Sequence, residues 1–228
     1  MKKILSVLLI ACFAIAVLAA CTPSTPADSG ETTKAAEQTN AETTGATTAA
    51  NTEAQEIVVP DATLKYVPAE VYGDKATAEA NGLKPADNST ISGMFKESVE
   101  FDENWDIKLP DEFTKIDSYV FRVAQGQYIE EITIMKVTDA ADIDAVKAIA
   151  EYRLNKQKNN ADFKLYDDEN GTNAKMIETG RVVVIGNFVI YVVTENTEVS
   201  VLRAQKYVQD NPNCTAFELY KAVAKELF

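Results

Sequence analysis

Arg181-Val182-Val183-Val184-Ile185-Gly186-Asn187-Phe188-Val189-Ile190-Tyr191-Val192-Val193 is the stretch that decides the fold. Two apolar runs rich in β-branched residues flank a Gly-Asn pair. Such side chains favour a pleated strand, and a two-residue loop containing glycine supplies the positive φ of a tight hairpin turn. Both runs are continuous rather than alternating, so both faces of these strands are expected to be covered.

The pattern repeats upstream. Residues 118–124 put Tyr119, Phe121 and Val123 on one face; Gln125-Gly126-Gln127 is a turn; residues 128–137 set Ile132 and Ile134 against Glu131 and Thr133. Between the two hairpins Asp139 can cap a helix over 140–159, with Ile143, Val146 and Ala150 as its apolar stripe. A short helix is expected from Ser89, carrying Ile91, Met94 and Phe95. Another is expected over 198–209, with Val201, Ala204 and Val208 in register. The order α-β-β-α-β-β-α reads as an α+β fold. It predicts a four-stranded antiparallel sheet made of two hairpins, with helices packed on it and a C-terminal helix over 216–228. Residues 57–88, broken by Pro60, Pro68, Gly73, Gly82 and Pro85, read as an extended lead-in with at most one short strand. The folded domain is expected over 89–228.

The N-terminus reads as an address. Lys2 and Lys3 precede an apolar run over 4–20 that ends in Leu18-Ala19-Ala20-Cys21. A positive start, an apolar run and small residues at the break have the form of a secretory signal. The four-residue box resembles the processing site of bacterial lipoproteins. That resemblance implies cleavage between Ala20 and Cys21, removal of residues 1–20, and a diacylglycerol on Cys21. Stable anchoring takes two or more acyl chains, at roughly 0.8 kcal/mol per buried methylene. Cys12 would leave with the signal, so Cys214 would be the lone free thiol and no internal disulfide could form. Residues 22–56 hold ten threonines and eight alanines, with no aromatic residue and no Val, Ile, Leu or Met. Such a segment buries too little surface to offset chain entropy, so 21–56 is expected to be a lipidated cysteine and a disordered tether.

Composition excludes several functions. The net charge is −13, and residues 57–228 alone carry 29 acids against 19 bases. Nucleic-acid binding needs clustered Lys and Arg, so no nucleic-acid partner is expected. The chain has no histidine, which removes Ser-His-Asp and Cys-His catalysis and the commonest transition-metal ligand. No phosphate loop, metal spacing or nucleophile elbow occurs, so neither cofactor nor metal is expected.

Leu109-Pro110 through Lys136 resembles the opening of a domain-of-unknown-function family of lipoproteins from Gram-positive anaerobes of clostridial type. The helix end Ala150-Glu151-Tyr152-Arg153-Leu154-Asn155-Lys156-Gln157-Lys158 and the Gly180–Val189 stretch resemble it too. The resemblance spans about 89–210. It implies a surface-anchored single domain and carries no catalytic residue.

Four features invite a chemical reading. Cys214 precedes Thr215-Ala216-Phe217-Glu218, a capping box, and so stands where a hydrophobic staple to Leu219 would form; a reactive thiol is the alternative. Asp167-Asp168-Glu169-Asn170-Gly171-Thr172-Asn173 is either a solvated turn or an irregular calcium loop, since Tyr166 and Ile177 fail the EF-hand pattern. Glu100, Asp102, Glu103 and Asp106 surround Trp105, which either covers an edge of the core or stacks on a ligand. Of all residues, Trp105 is the candidate binding surface. Arg122 and Lys136, inside apolar strands, read as outer-face or edge residues.

The expectation is a lipid-anchored, extracytoplasmic, non-enzymatic binding module on the cell membrane. Its partners would be the bilayer through Cys21 and an envelope protein or wall component. A small-ligand or metal receptor is the alternative, and a carboxylate-dependent wall hydrolase a third.

Overall fold

The computed structural model describes residues 56–160 and 171–228. The lipobox, the tether and the acidic half of the Asp167–Asn173 stretch lie outside the described residues.

The chain runs β1 (Ala69–Gly73), α1 (Lys75–Asn81), β2 (Lys84–Pro85), α2 (Asn88–Phe95), β3 (Glu100–Phe101), β4 (Ile107–Lys108), β5 (Ile116–Ala124) and β6 (Glu131–Val137). It continues through α3 (Ile143–Asn159), α4 (Thr172–Thr179), β7 (Arg181–Ile185), β8 (Phe188–Val193), α5 (Thr197–Asp210) and α6 (Ala216–Val223). Six strands form one sheet in the order β2-β1-β5-β6-β8-β7, and β3-β4 is a separate two-stranded hairpin.

The expected four-stranded antiparallel sheet is therefore wrong in count and in sense. The two hairpins are present, and β6 pairs with β8 between them. The lead-in adds the rest. β1 pairs antiparallel with β5, and β2 runs parallel to β1. The misreading has a local cause, because one apparent breaker, Gly82, closes a helix and two others, Gly73 and Pro85, lie in strands. Asp74 accepts a hydrogen bond from the Thr77 N–H at the start of α1, and Gly82 closes that helix at φ 67°. Pro85 sits on the outermost strand, where its missing N–H costs no ladder bond.

The sheet is sandwiched between helices. On one face Phe121, Met135, Val189 and Tyr191 pack against Ile91 and Phe95 of α2, Val146 and Ala150 of α3, and Met176 of α4. On the other, Val120, Ile132, Ile134 and Ile190 meet Ala204 and Val208 of α5 and Leu219 and Val223 of α6. This explains why β8 is buried at every position. β7 departs from expectation: it is the sheet edge, and Val184 is 40% exposed.

Placing β1 outside β5 also overturns the reading of Arg122. It lies on an internal strand, 2% exposed, paired with the buried Glu130. Lys136 is likewise no edge guard. Its Nζ donates to the Cys214 carbonyl at 3.0 Å and lies 5.8 Å from the centre of the Phe188 ring.

Candidate functional site

Buried charge in this domain is structural. Glu131, fully buried on β6, accepts on Oε2 from Arg153 Nε at 3.0 Å, Arg153 Nη2 at 2.7 Å and Gln157 Nε2 at 3.0 Å. Its Oε1 accepts from the Thr133 hydroxyl at 3.1 Å, and the Tyr191 hydroxyl donates to Gln157. This network rivets α3 to the sheet. Burial drives the Tyr191 phenol well above its ordinary value, with the Glu131 charge adding to it.

The opposite face holds a strap. Residues 62–68 cross the domain without strand pairing and are held mainly by side chains, with the Pro68 carbonyl accepting from the Gln125 N–H at 2.9 Å. Arg203 Nη2 donates to the Ala62 carbonyl at 2.6 Å, and Arg122 Nη2 to the Val67 carbonyl at 2.5 Å. Glu226 accepts from the Leu64 N–H at 3.2 Å while pairing with Arg203 at 2.6 Å. The Tyr66 hydroxyl donates to the Val223 carbonyl at 3.2 Å. Burial raises the Glu130 carboxyl, and Arg122 only partly offsets it.

The β3–β4 hairpin is different, because its groups face solvent. Asp102 Oδ1 accepts from the backbone N–H of Asn104 at 2.8 Å and of Asp106 at 3.0 Å. The Asp102 N–H reaches the Asp106 carbonyl at 2.9 Å, and the Trp105 N–H reaches the Asp102 carbonyl at 3.1 Å. The loop so closed holds Trp105 at φ 65°, the one non-glycine residue with positive φ among the described residues. A bulky residue rarely occupies that region, and one held there by surrounding bonds marks stored strain. Trp105 is 83% exposed. The core-cover reading of this residue is thus corrected: it touches Phe101, itself 54% exposed, with ring centres 6.3 Å apart.

A cleft of about 730 Å³ opens beside the two rings, lined also by Asp87, Asp102, Asp106 and Ile107. The hairpin is braced from beneath, since Asn88 Nδ2 donates to the Ile107 carbonyl at 3.0 Å and the Ser92 hydroxyl to the Lys108 carbonyl at 3.3 Å. Of the three carboxylates, Asp87 caps α2 through the Thr90 N–H, which holds its carboxyl below the ordinary value. Asp102 is spent on its loop. A neighbouring cleft of about 450 Å³ runs between the other side of the hairpin and α3, past Phe95, Ile149 and Tyr152. Two of its four acids are paired by the chain's own lysines, Lys96 on Glu100 at 3.1 Å and Lys108 on Asp111 at 3.5 Å, with Glu97 and Glu112 lining it as well.

The remaining candidates resolve simply. Cys214 is buried among the α5–α6 side chains with Leu219, and Thr215 and Glu218 form the reciprocal capping box. Burial raises its thiol, with Lys136 opposing. Gly171 and Asn173 open α4, and Asn173 Nδ2 donates to the Gln127 carbonyl at 3.1 Å. Among the described residues no group of three or more acids or cysteines is placed to hold a metal ion. No described helix is long and apolar enough to cross a membrane.

Sequence reasoning missed the strap and the Glu131 network. The signals were Arg122, Glu130 and Glu131 inside apolar strands, where a charge without a partner would be costly.

Residues 92–194 match the model of a family described as a domain of unknown function (DUF4358). The match runs from α2 to the end of β8, so it includes the Trp105 hairpin and Glu131. It leaves out the strap, β1 and the last two helices. No curated protein and no solved structure matches the chain.

Proposed function

We propose that this chain is a lipid-anchored extracytoplasmic binding module whose contact surface is the β3–β4 hairpin. The Leu18-Ala19-Ala20-Cys21 box supports an anchor at Cys21, and the Thr/Ala-rich segment behind it supports a spacer. The observation that carries the binding reading is Trp105, presented 83% exposed at a backbone conformation its own loop enforces. Water exposure of a large ring gains nothing for the fold, and tryptophan is the residue type most enriched among interface hot spots.

The test separates anchor from contact. Cys21→Ala should release the chain from the membrane fraction. The released chain should still bind isolated cell envelopes in a saturable manner. Adding Trp105→Ala should weaken that binding by about 30-fold, the equivalent of a hot-spot loss of about 2 kcal/mol. Equal binding with and without the ring would remove the hairpin from the contact surface.

A further inference from the structure

We infer that the Trp105 cleft takes a cationic side chain, arginine or lysine, from a partner protein. This rests on the hairpin being the contact surface and adds what it contacts. Two aromatic faces, Phe101 and Trp105, border a cleft whose charged lining consists of Asp87, Asp102 and Asp106. No Lys or Arg lines it, and none of the three carboxylates joins an ion pair among the described residues. The adjoining cleft differs, since there lysines of the chain itself line the cavity and pair with two of its four acids, Glu100 and Asp111. An exposed indole face attracts a cation through its quadrupole, tryptophan most strongly of the aromatic residues, and carboxylates at its rim add to that attraction. A guanidinium can stack on the ring and donate to a carboxylate at once, which an uncharged sugar cannot match.

Asp106 is the recognition group the geometry leaves available. Its backbone closes the loop, but its side chain has no protein partner among the described residues. Asp87 and Asp102 are each partly engaged by backbone N–H groups and supply charge more than new bonds. A protein side chain supplies the cation, because the site is an open face that a partner surface can cover, and tryptophan and arginine are among the residue types that pair as interface hot spots.

Trp105 is the only tryptophan in the sequence, so its fluorescence reports this cleft alone. The full chain in uncharged detergent is titrated with the peptide acetyl-Gly-Arg-Gly-Arg-Gly-amide, and with the same peptide carrying neutral citrulline for arginine. The expected result is a saturable change in Trp105 emission with the arginine peptide, and binding at least about 10-fold weaker for the citrulline peptide. Asp106→Asn, whose side chain holds no fold contact, should lower arginine-peptide affinity by about 5–10-fold with the melting temperature unchanged. Equal binding of the two peptides, an unsaturable response, or an Asp106→Asn variant that binds like the parent would overturn the inference. If envelope binding still needs Trp105 under those outcomes, the contact surface stands and only its cationic partner falls.

Discussion

Replacing Arg153 by Met removes the main partner of a fully buried carboxylate. Glu131 then keeps only Gln157 at 3.0 Å and Thr133 at 3.1 Å, having lost two charge-assisted bonds of 2.7 and 3.0 Å. Breaking a buried pair from one side costs about 3–5 kcal/mol, because the remaining ion stays desolvated. For a domain of this size that corresponds to a fall in melting temperature of roughly 6–20 °C. Urea unfolding and thermal circular dichroism of the variant against the parent measure it. The double variant Arg153→Met with Glu131→Met removes both charges, so it should recover about half of the loss or more. A single variant within about 1 kcal/mol of the parent would refute the reasoning, as would a double variant worse than the single one.

Other consequences follow from the same geometry. Gly180→Ala places a methyl 2.7 Å from Val193 Cγ2 and 3.2 Å from the Ile177 carbonyl, so it should destabilise by about 1–3 kcal/mol in urea titration. Thr215→Ala removes the cap of α6 and should cost about 1 kcal/mol by the same measurement. Glu226 is raised by burial, but Arg203 and the Leu64 N–H outweigh that and hold its carboxyl below the ordinary 4.5. Its contribution is therefore complete above about pH 4.5 and lost as pH falls through the lower folded value. The stability gap between the parent and Glu226→Gln should thus be widest near neutral pH and close below pH 4.5, as read from unfolding curves across that range. Cys214 should react with a thiol reagent only as fast as the domain opens, because burial both shields and raises the thiol.

Much of the fold was legible because its signals are local. The Gly186-Asn187 hairpin and the Thr215–Glu218 box each lie within a few residues, and each is present, whereas Asp139 caps only a short 3-10 turn over Ala140–Asp142 and the helix expected from 140 starts at Ile143. The misses are non-local. Nothing in residues 69–73 announces that they pair with β5, some fifty residues later, and that pairing turns Arg122 from an edge residue into a core one. The strap depends on Arg203 and Glu226, more than a hundred residues from Ala62 and Leu64. Trp105 was identifiable as an aromatic among acids. Its positive φ was not, because that follows from how Asp102 closes the loop.

The most direct test of the account places a photo-crosslinking residue at Glu103, exposed on the same loop beside an intact Trp105, in the full chain in its native cells. The same residue at Glu79, exposed on α1, serves as the reference. The account predicts a discrete protein adduct from position 103, absent at position 79, lost on Trp105→Ala and weakened by Asp106→Asn. No adduct from position 103, or the same adducts from both positions, would contradict the claim that the Trp105 hairpin is the surface through which this protein binds.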